Sequence, residues 1–65
     1  MNIGTNIKVA RKKRGITQTE LAEKVGVTQT MINFIEKGIR MPSVNVLIAI
    51  SKELDVSMDY LTATA

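Results

Sequence analysis

Cysteine, histidine and tryptophan are absent from this chain. Without cysteine there is no disulfide framework and no thiolate metal site, and without histidine the commonest zinc ligand and the commonest general base are gone. Scattered Asp, Glu and Lys remain, with no Gly-rich phosphate loop and no nucleophile and base pair, so the sequence predicts neither an enzyme nor a metal or cofactor site. The aromatics are Phe34 and Tyr60 alone, too few for the stacking platforms of single-strand nucleic-acid binders, which leaves duplex binding open. Long apolar runs are missing too. The longest, Val46 to Ile50, falls far short of the roughly 20 residues that span a bilayer. No basic-then-apolar leader opens the chain, and the expected location is the cytoplasm.

What is present suits one small folded domain covering residues 1–65: 45% of the 65 residues are hydrophobic, too many for a disordered tail and too short a chain for two cores. A chain of this size buries only about 60% of its unfolded surface, so marginal stability or self-association is expected. The net charge of +3 is unevenly laid out. Residues 1–14 carry Lys8, Arg11, Lys12, Lys13 and Arg14 with no acid, residues 15–40 balance, and residues 41–65 set Lys52 against Glu53, Asp55 and Asp59. This polarity fits a front half turned toward a polyanion, although a short basic run is as often a solvated helix face.

Apolar spacing and stop signals predict five short helices. Ile3, Ile7 and Ala10 recur at helical intervals behind Asn2 as N-cap, giving a first helix over about 3–14 that stops at Gly15. Thr17-Gln18-Thr19-Glu20 is a capping box opening a second helix whose apolar face is Leu21, Ala22 and Val25 and whose stop is Gly26. Thr28 caps a third over about 29–37 with Ile32 and Ile35 inward. Met41-Pro42-Ser43 breaks the chain, and Ser43 caps a fourth with Val44, Leu47, Ile50 and Leu54 inward. Asp55 serves as a turn residue and Ser57 caps a last turn or two through Met58, Tyr60 and Leu61. Val44 to Ile50 also has strand composition, but no second strand exists to pair with it, so the class is all-α.

Two short helices joined through Gly26, over about 18–37, form the helix-turn-helix pattern. The tight turn requires a positive φ that glycine reaches freely, Ala22 is small enough for close helix approach, and Val27 and Ile32 plug the wedge. With Ile32 and Ile35 inward, Gln29, Thr30, Asn33 and Lys37 project together toward solvent. Gln and Asn amides bind adenine through N6 and N7 in the major groove and a Thr methyl packs on thymine, so a site with A·T pairs is expected. Phe34 lies beside Asn33 and either touches thymine methyls and sugar or folds onto the core edge; Met31 is equally open.

The spaced elements Arg11, Gly15, Thr17-Gln18, Leu21-Ala22, Gly26-Val27, Ile32, Glu36-x-Gly38, Pro42-Ser43 and Leu54-x-Val56-Ser57 cover almost the whole chain. In this order they resemble the phage repressor/Cro (Cro/cI-type) helix-turn-helix family. The resemblance implies a five-helix, lambda-repressor-like DNA-binding domain, with residues 29–37 as recognition helix, in a sequence-specific duplex-DNA regulator that acts as a homodimeric repressor on a palindromic operator. Base contacts are expected from Gln29, Thr30, Asn33 and Phe34. Backbone contacts are expected from Thr17, Gln18 and Thr28 at helix starts, and from Lys37, Arg40, Lys8 and Lys12. The family pattern pairs Arg11 with Glu36 as a structural bridge, with Arg14 as the alternative partner. Met41, Ile48, Met58 and Tyr60, left over once the inward positions are filled, are the dimer candidates, with recognition helices about 34 Å apart. Ile48 fits a core role nearly as well. The sequence departs from the family pattern at Phe34, at Asp55, where Gly or Asn is usual, and at Ser51, where Ala is usual. A second reading is an antitoxin-like module whose Met41, Met58 and Tyr60 surface binds another protein. With no ligand domain in the sequence, control is expected from concentration, partner binding or proteolysis.

Overall fold

A computed structural model describes residues 2–63 as five helices: α1 (Ile3–Lys13), α2 (Gln18–Val25), α3 (Gln29–Glu36), α4 (Val44–Leu54) and α5 (Met58–Thr62). Among the described residues there is no strand. The capping chemistry read from the sequence sets most of the boundaries. Thr17 Oγ1 accepts the Glu20 amide at 3.0 Å while Glu20 Oε1 accepts the Thr17 amide at 2.9 Å, closing the capping box of α2. Thr28, Ser43 and Ser57 each accept the amide three residues on, opening α3, α4 and α5. Asn2 occupies the N-cap of α1 but makes no side-chain cap hydrogen bond. α1 closes at Lys13 with Arg14 as C-cap, and α3 closes at Glu36 with Lys37 as C-cap.

The core gathers one stripe from every helix: Ile7, Leu21, Ile32, Ile35, Ile50, Leu54 and Leu61 are fully buried. α2 packs on α3 and α4, and α1 crosses α3 and α5, so α3 is held from one side while its other face stays outward. Val44 departs from expectation. The inward stripe of α4 is Leu47, Ile50, Ser51 and Leu54, with Val46 on its flank, whereas Val44 is 70% exposed. At about 100° per residue Val44 falls at the edge of that stripe, beside Ile48, and in the first turn it overhangs the core.

Two long-range features carried no sequence signal. A Cβ on Gly4 would stand 2.2 Å from the carbonyl oxygen of Ile35 and 2.7 Å from that of Glu36, so α1 lies against the backbone of α3 at a distance open only to glycine. Asn6 Nδ2 donates to the carbonyls of Tyr60, Leu61 and Ala63, each at 3.1 Å, capping the open end of α5 from a helix more than fifty residues away in sequence.

Candidate nucleic-acid interface

The turn between α2 and α3 is made by Gly26 at φ 79°, ψ 29°, the left-handed conformation that a side chain penalises. Gly26 N–H and Val27 N–H both donate to Ala22, at 2.9 and 3.0 Å. Val27 and Ile32 pack into the core behind the turn, as the wedge reading expected. The result fixes α3 in rotation: Ile32, Ile35 and Glu36 are buried, Met31 is packed on the core, and Gln29, Thr30 and Lys37 are exposed. Asn33 and Phe34 are half-buried on the same outward arc, since residues 29, 30, 33, 34 and 37 all fall on one side at about 100° per residue. The question left open for Met31 is thus settled toward packing.

Beneath that arc lies a polar network. Arg11 Nε donates to Glu36 Oε2 at 2.6 Å and Arg11 NH2 to Glu36 Oε1 at 3.1 Å, the bidentate pair that the sequence pattern indicated, with Arg11 in preference to Arg14 as the partner. The third arm of the guanidinium donates to the Ile16 carbonyl at 2.9 Å. Both side chains are buried, 9% and 2% exposed, so removing either would strand the other's charge. Gln18 extends the network outward: its Nε2 donates to Glu36 Oε1 at 3.0 Å and to Asn33 Oδ1 at 3.5 Å, and its Oε1 accepts Gln29 Nε2 at 2.6 Å. Among the described residues no buried side-chain nitrogen or oxygen lacks a partner. Sequence reasoning placed Gln18, Gln29, Asn33 and Glu36 at the site but saw no bond between them. The Gln18 and Gln29 interval of eleven has no meaning until α2 and α3 are folded together.

The expected flanking groups are arranged as follows. Thr17 and Thr28 use their hydroxyl oxygens to accept helix amides, which leaves each O–H available to donate outward. Lys8 and Lys12 are exposed one turn apart on α1, and Lys37 is exposed at the end of α3. Arg40 is exposed in the following loop, at the rim of an apolar cleft of about 280 Å³ lined by Val27, Met31, Ile35, Met41 and Pro42.

The apolar surface differs from the set expected at a dimer contact. Met41, Ile48 and Tyr60 are exposed. Met58 is half-buried, packed against the edge of the core. The structure also exposes Ile39, at 62%, and Val44, alongside Met41 at 67%.

A helix-turn-helix family model matches residues 7–61. A transcriptional regulator of Bacillus subtilis, YqaE, itself uncharacterised, is 45% identical over 56 residues, which are 86% of this chain and 48% of the relative. The P22 c2 repressor, solved in complex with a synthetic operator, superimposes with a TM-score of 0.89 at 38% identity, covering 94% of this chain and 92% of that one. SinR, described as the master regulator for biofilm formation and solved in complex with DNA, gives 0.87 at 40% identity, covering 94% and 98%. The chain spans about half the length of the curated relatives it matches. These likenesses establish that the chain belongs to the Cro/cI-type helix-turn-helix family.

Proposed function

We propose that this domain binds duplex DNA sequence-specifically, laying α3 in the major groove, and serves a transcriptional repressor acting as a homodimer on a palindromic operator in the cytoplasm, at the nucleoid. Its work is binding, with no catalytic step. The observation that carries this reading is the outward arc of Gln29, Thr30, Asn33 and Lys37 on a helix fixed in rotation by a buried apolar stripe and by the Gln18 network. Two relatives of the same fold bind DNA, and among the described residues no helix is long and apolar enough to cross a membrane.

In this reading Gln29, Thr30, Asn33 and Phe34 meet base edges and thymine methyls. Thr17 and Thr28 donate hydroxyl protons, with the helix-start amides behind them, to phosphates on either side. Lys37, Arg40, Lys8 and Lys12 supply cations along the backbone. Met41, Ile48, Met58 and Tyr60, joined by Ile39 and Val44, provide the apolar surface for the two-fold mate. Docking of a different protein on that surface is the alternative, favoured by how far Ile39, Met41 and Val44 stand clear of the core.

Selection of binding sites from random duplex DNA, read at two salt concentrations, tests the assignment. An enriched, two-fold symmetric site with A·T pairs is expected. Gln29→Ala should weaken binding to that site by about 1–3 kcal/mol and relax preference at one position, while Lys37→Ala weakens all sequences alike and lowers the salt slope by about 1. Equal weakening on every sequence by Gln29→Ala would remove Gln29 from base readout.

A further inference from the structure

The amides on the α2 and α3 face form a directed chain that begins inside the globule. The Arg11 fork donates one hydrogen bond to each oxygen of Glu36 and turns Oε1 toward α2. A carboxylate has no proton to offer, so the Gln18 atom 3.0 Å from Glu36 Oε1 must be the amide nitrogen. This settles which way round the Gln18 amide stands. Its oxygen therefore points to the surface, where it accepts a hydrogen bond from Gln29 Nε2 at 2.6 Å. Gln29 in turn must present nitrogen on the side nearest α2. One Nε2 proton and the Oε1 lone pairs of Gln29 have no partner among the described residues, and these are the two groups that an adenine edge requires side by side, a donor for N7 and an acceptor for the N6 amino group. Turned over, the same amide would set N–H against the amino group and oxygen against N7.

We propose that Glu36 is a positioning residue for sequence readout: acting from the interior through Gln18, it fixes the sense in which the Gln29 amide meets an adenine edge of duplex DNA. Its bridge to Arg11 and its hold on Gln18 are separable tasks, the first for the fold and the second for the choice of base. The role presupposes the reading of α3 as the base-contacting helix.

The test uses the whole chain and the duplex obtained by site selection, with affinity followed by fluorescence anisotropy. The adenine paired with Gln29 is replaced by 7-deazaadenine, which lacks the N7 acceptor, or by purine, which lacks the 6-amino group. Each replacement is expected to weaken wild-type binding by about tenfold. Glu36→Gln, whose amide can turn either edge toward Gln18, is expected to shrink both penalties to about threefold or less, with binding to unrelated duplex unchanged. Gln18→Leu leaves the Arg11 bridge in place and should shrink them equally, so the question is answered even if Glu36→Gln fails to fold. Ile50→Val lowers stability without touching the amide chain and should keep both penalties at about tenfold, which separates positioning from general loosening. Full penalties in folded Glu36→Gln or in Gln18→Leu would overturn the role of Glu36 and leave α3 as the reading helix. Full penalties in Gln29→Ala would instead remove the base-contact assignment on which that role depends.

Discussion

At Asp55 the backbone adopts φ 56°, ψ 46°, among the described residues the one positive φ outside glycine. The family pattern usually places Gly or Asn there, and the geometry supplies the reason: the left-handed region costs a side chain about 1–2 kcal/mol. Asp tolerates it better than most because its short polar group can bond locally. Asp55→Gly should therefore relieve strain, offset in part by the roughly 0.5–1 kcal/mol of chain entropy that glycine brings. A net gain of about 0.5 kcal/mol, seen as a rise in Tm of about 2–4 °C, is expected by thermal denaturation. Ser51, the other departure from the pattern, is buried with its hydroxyl donating to the Ile48 carbonyl at 2.8 Å, so its polarity is absorbed within its own helix. Phe34 has no such internal answer. It is half-buried on the arc assigned to DNA, where Thr30 and Lys37 are its neighbours at helical spacing.

Between elements, what matters is how closely helices approach. α1 crosses the end of α3 at Gly4, where the Ile35 and Glu36 carbonyls occupy the space of a side chain. Alanine is the better helix former by about 1 kcal/mol, so propensity alone forecasts that Gly4→Ala stabilises. Packing forecasts the reverse. A methyl 2.2 Å from a backbone oxygen must push the helices apart, at about 1–3 kcal/mol for overpacking. Because Glu36 sits at that crossing, the shift would also loosen its bridge to Arg11. We expect Gly4→Ala to lose about 1–2 kcal/mol in urea denaturation, and an unchanged midpoint would refute the close crossing. Asn6 works at the same scale, joining α1 to the last carbonyls of α5 and so orienting Tyr60, which lies on the exposed apolar surface.

For the molecule as a whole, polar and apolar work fall on different parts of the surface. α3 and the basic residues of α1 present amides and cations, while the loop before α4 and the outer flank of α4 present Ile39, Met41, Val44 and Ile48. In the proposed dimer the second region sets the spacing of the first. Ile48→Ser combined with Met41→Ser should weaken binding to a two-fold symmetric site by about 30–1,000-fold, since each buried apolar anchor contributes about 1–2 kcal/mol. Affinity for an isolated half-site should change less than about twofold, because neither side chain is near α3's outward arc. Equal loss on both duplexes in a titration would show that the surface does not join two copies.

The sequence by itself determined the five helices, because caps and breakers act within a few residues: the Thr17 and Glu20 box, Thr28, Ser43 and Ser57 as N-caps, Gly26 as the turn. It also determined which face of α3 looks outward, because Ile32 and Ile35 define the opposite face by period alone. Pattern failed where a position was marginal: Val44 fell outside the core at the edge of its stripe. Tertiary structure alone decided the contacts between residues remote in sequence. Gly4 against α3, Asn6 on α5, and the path from Glu36 through Gln18 to Gln29 depend on angles and distances between helices. No local spacing encodes these, since they arise only when separate apolar stripes are brought into one core.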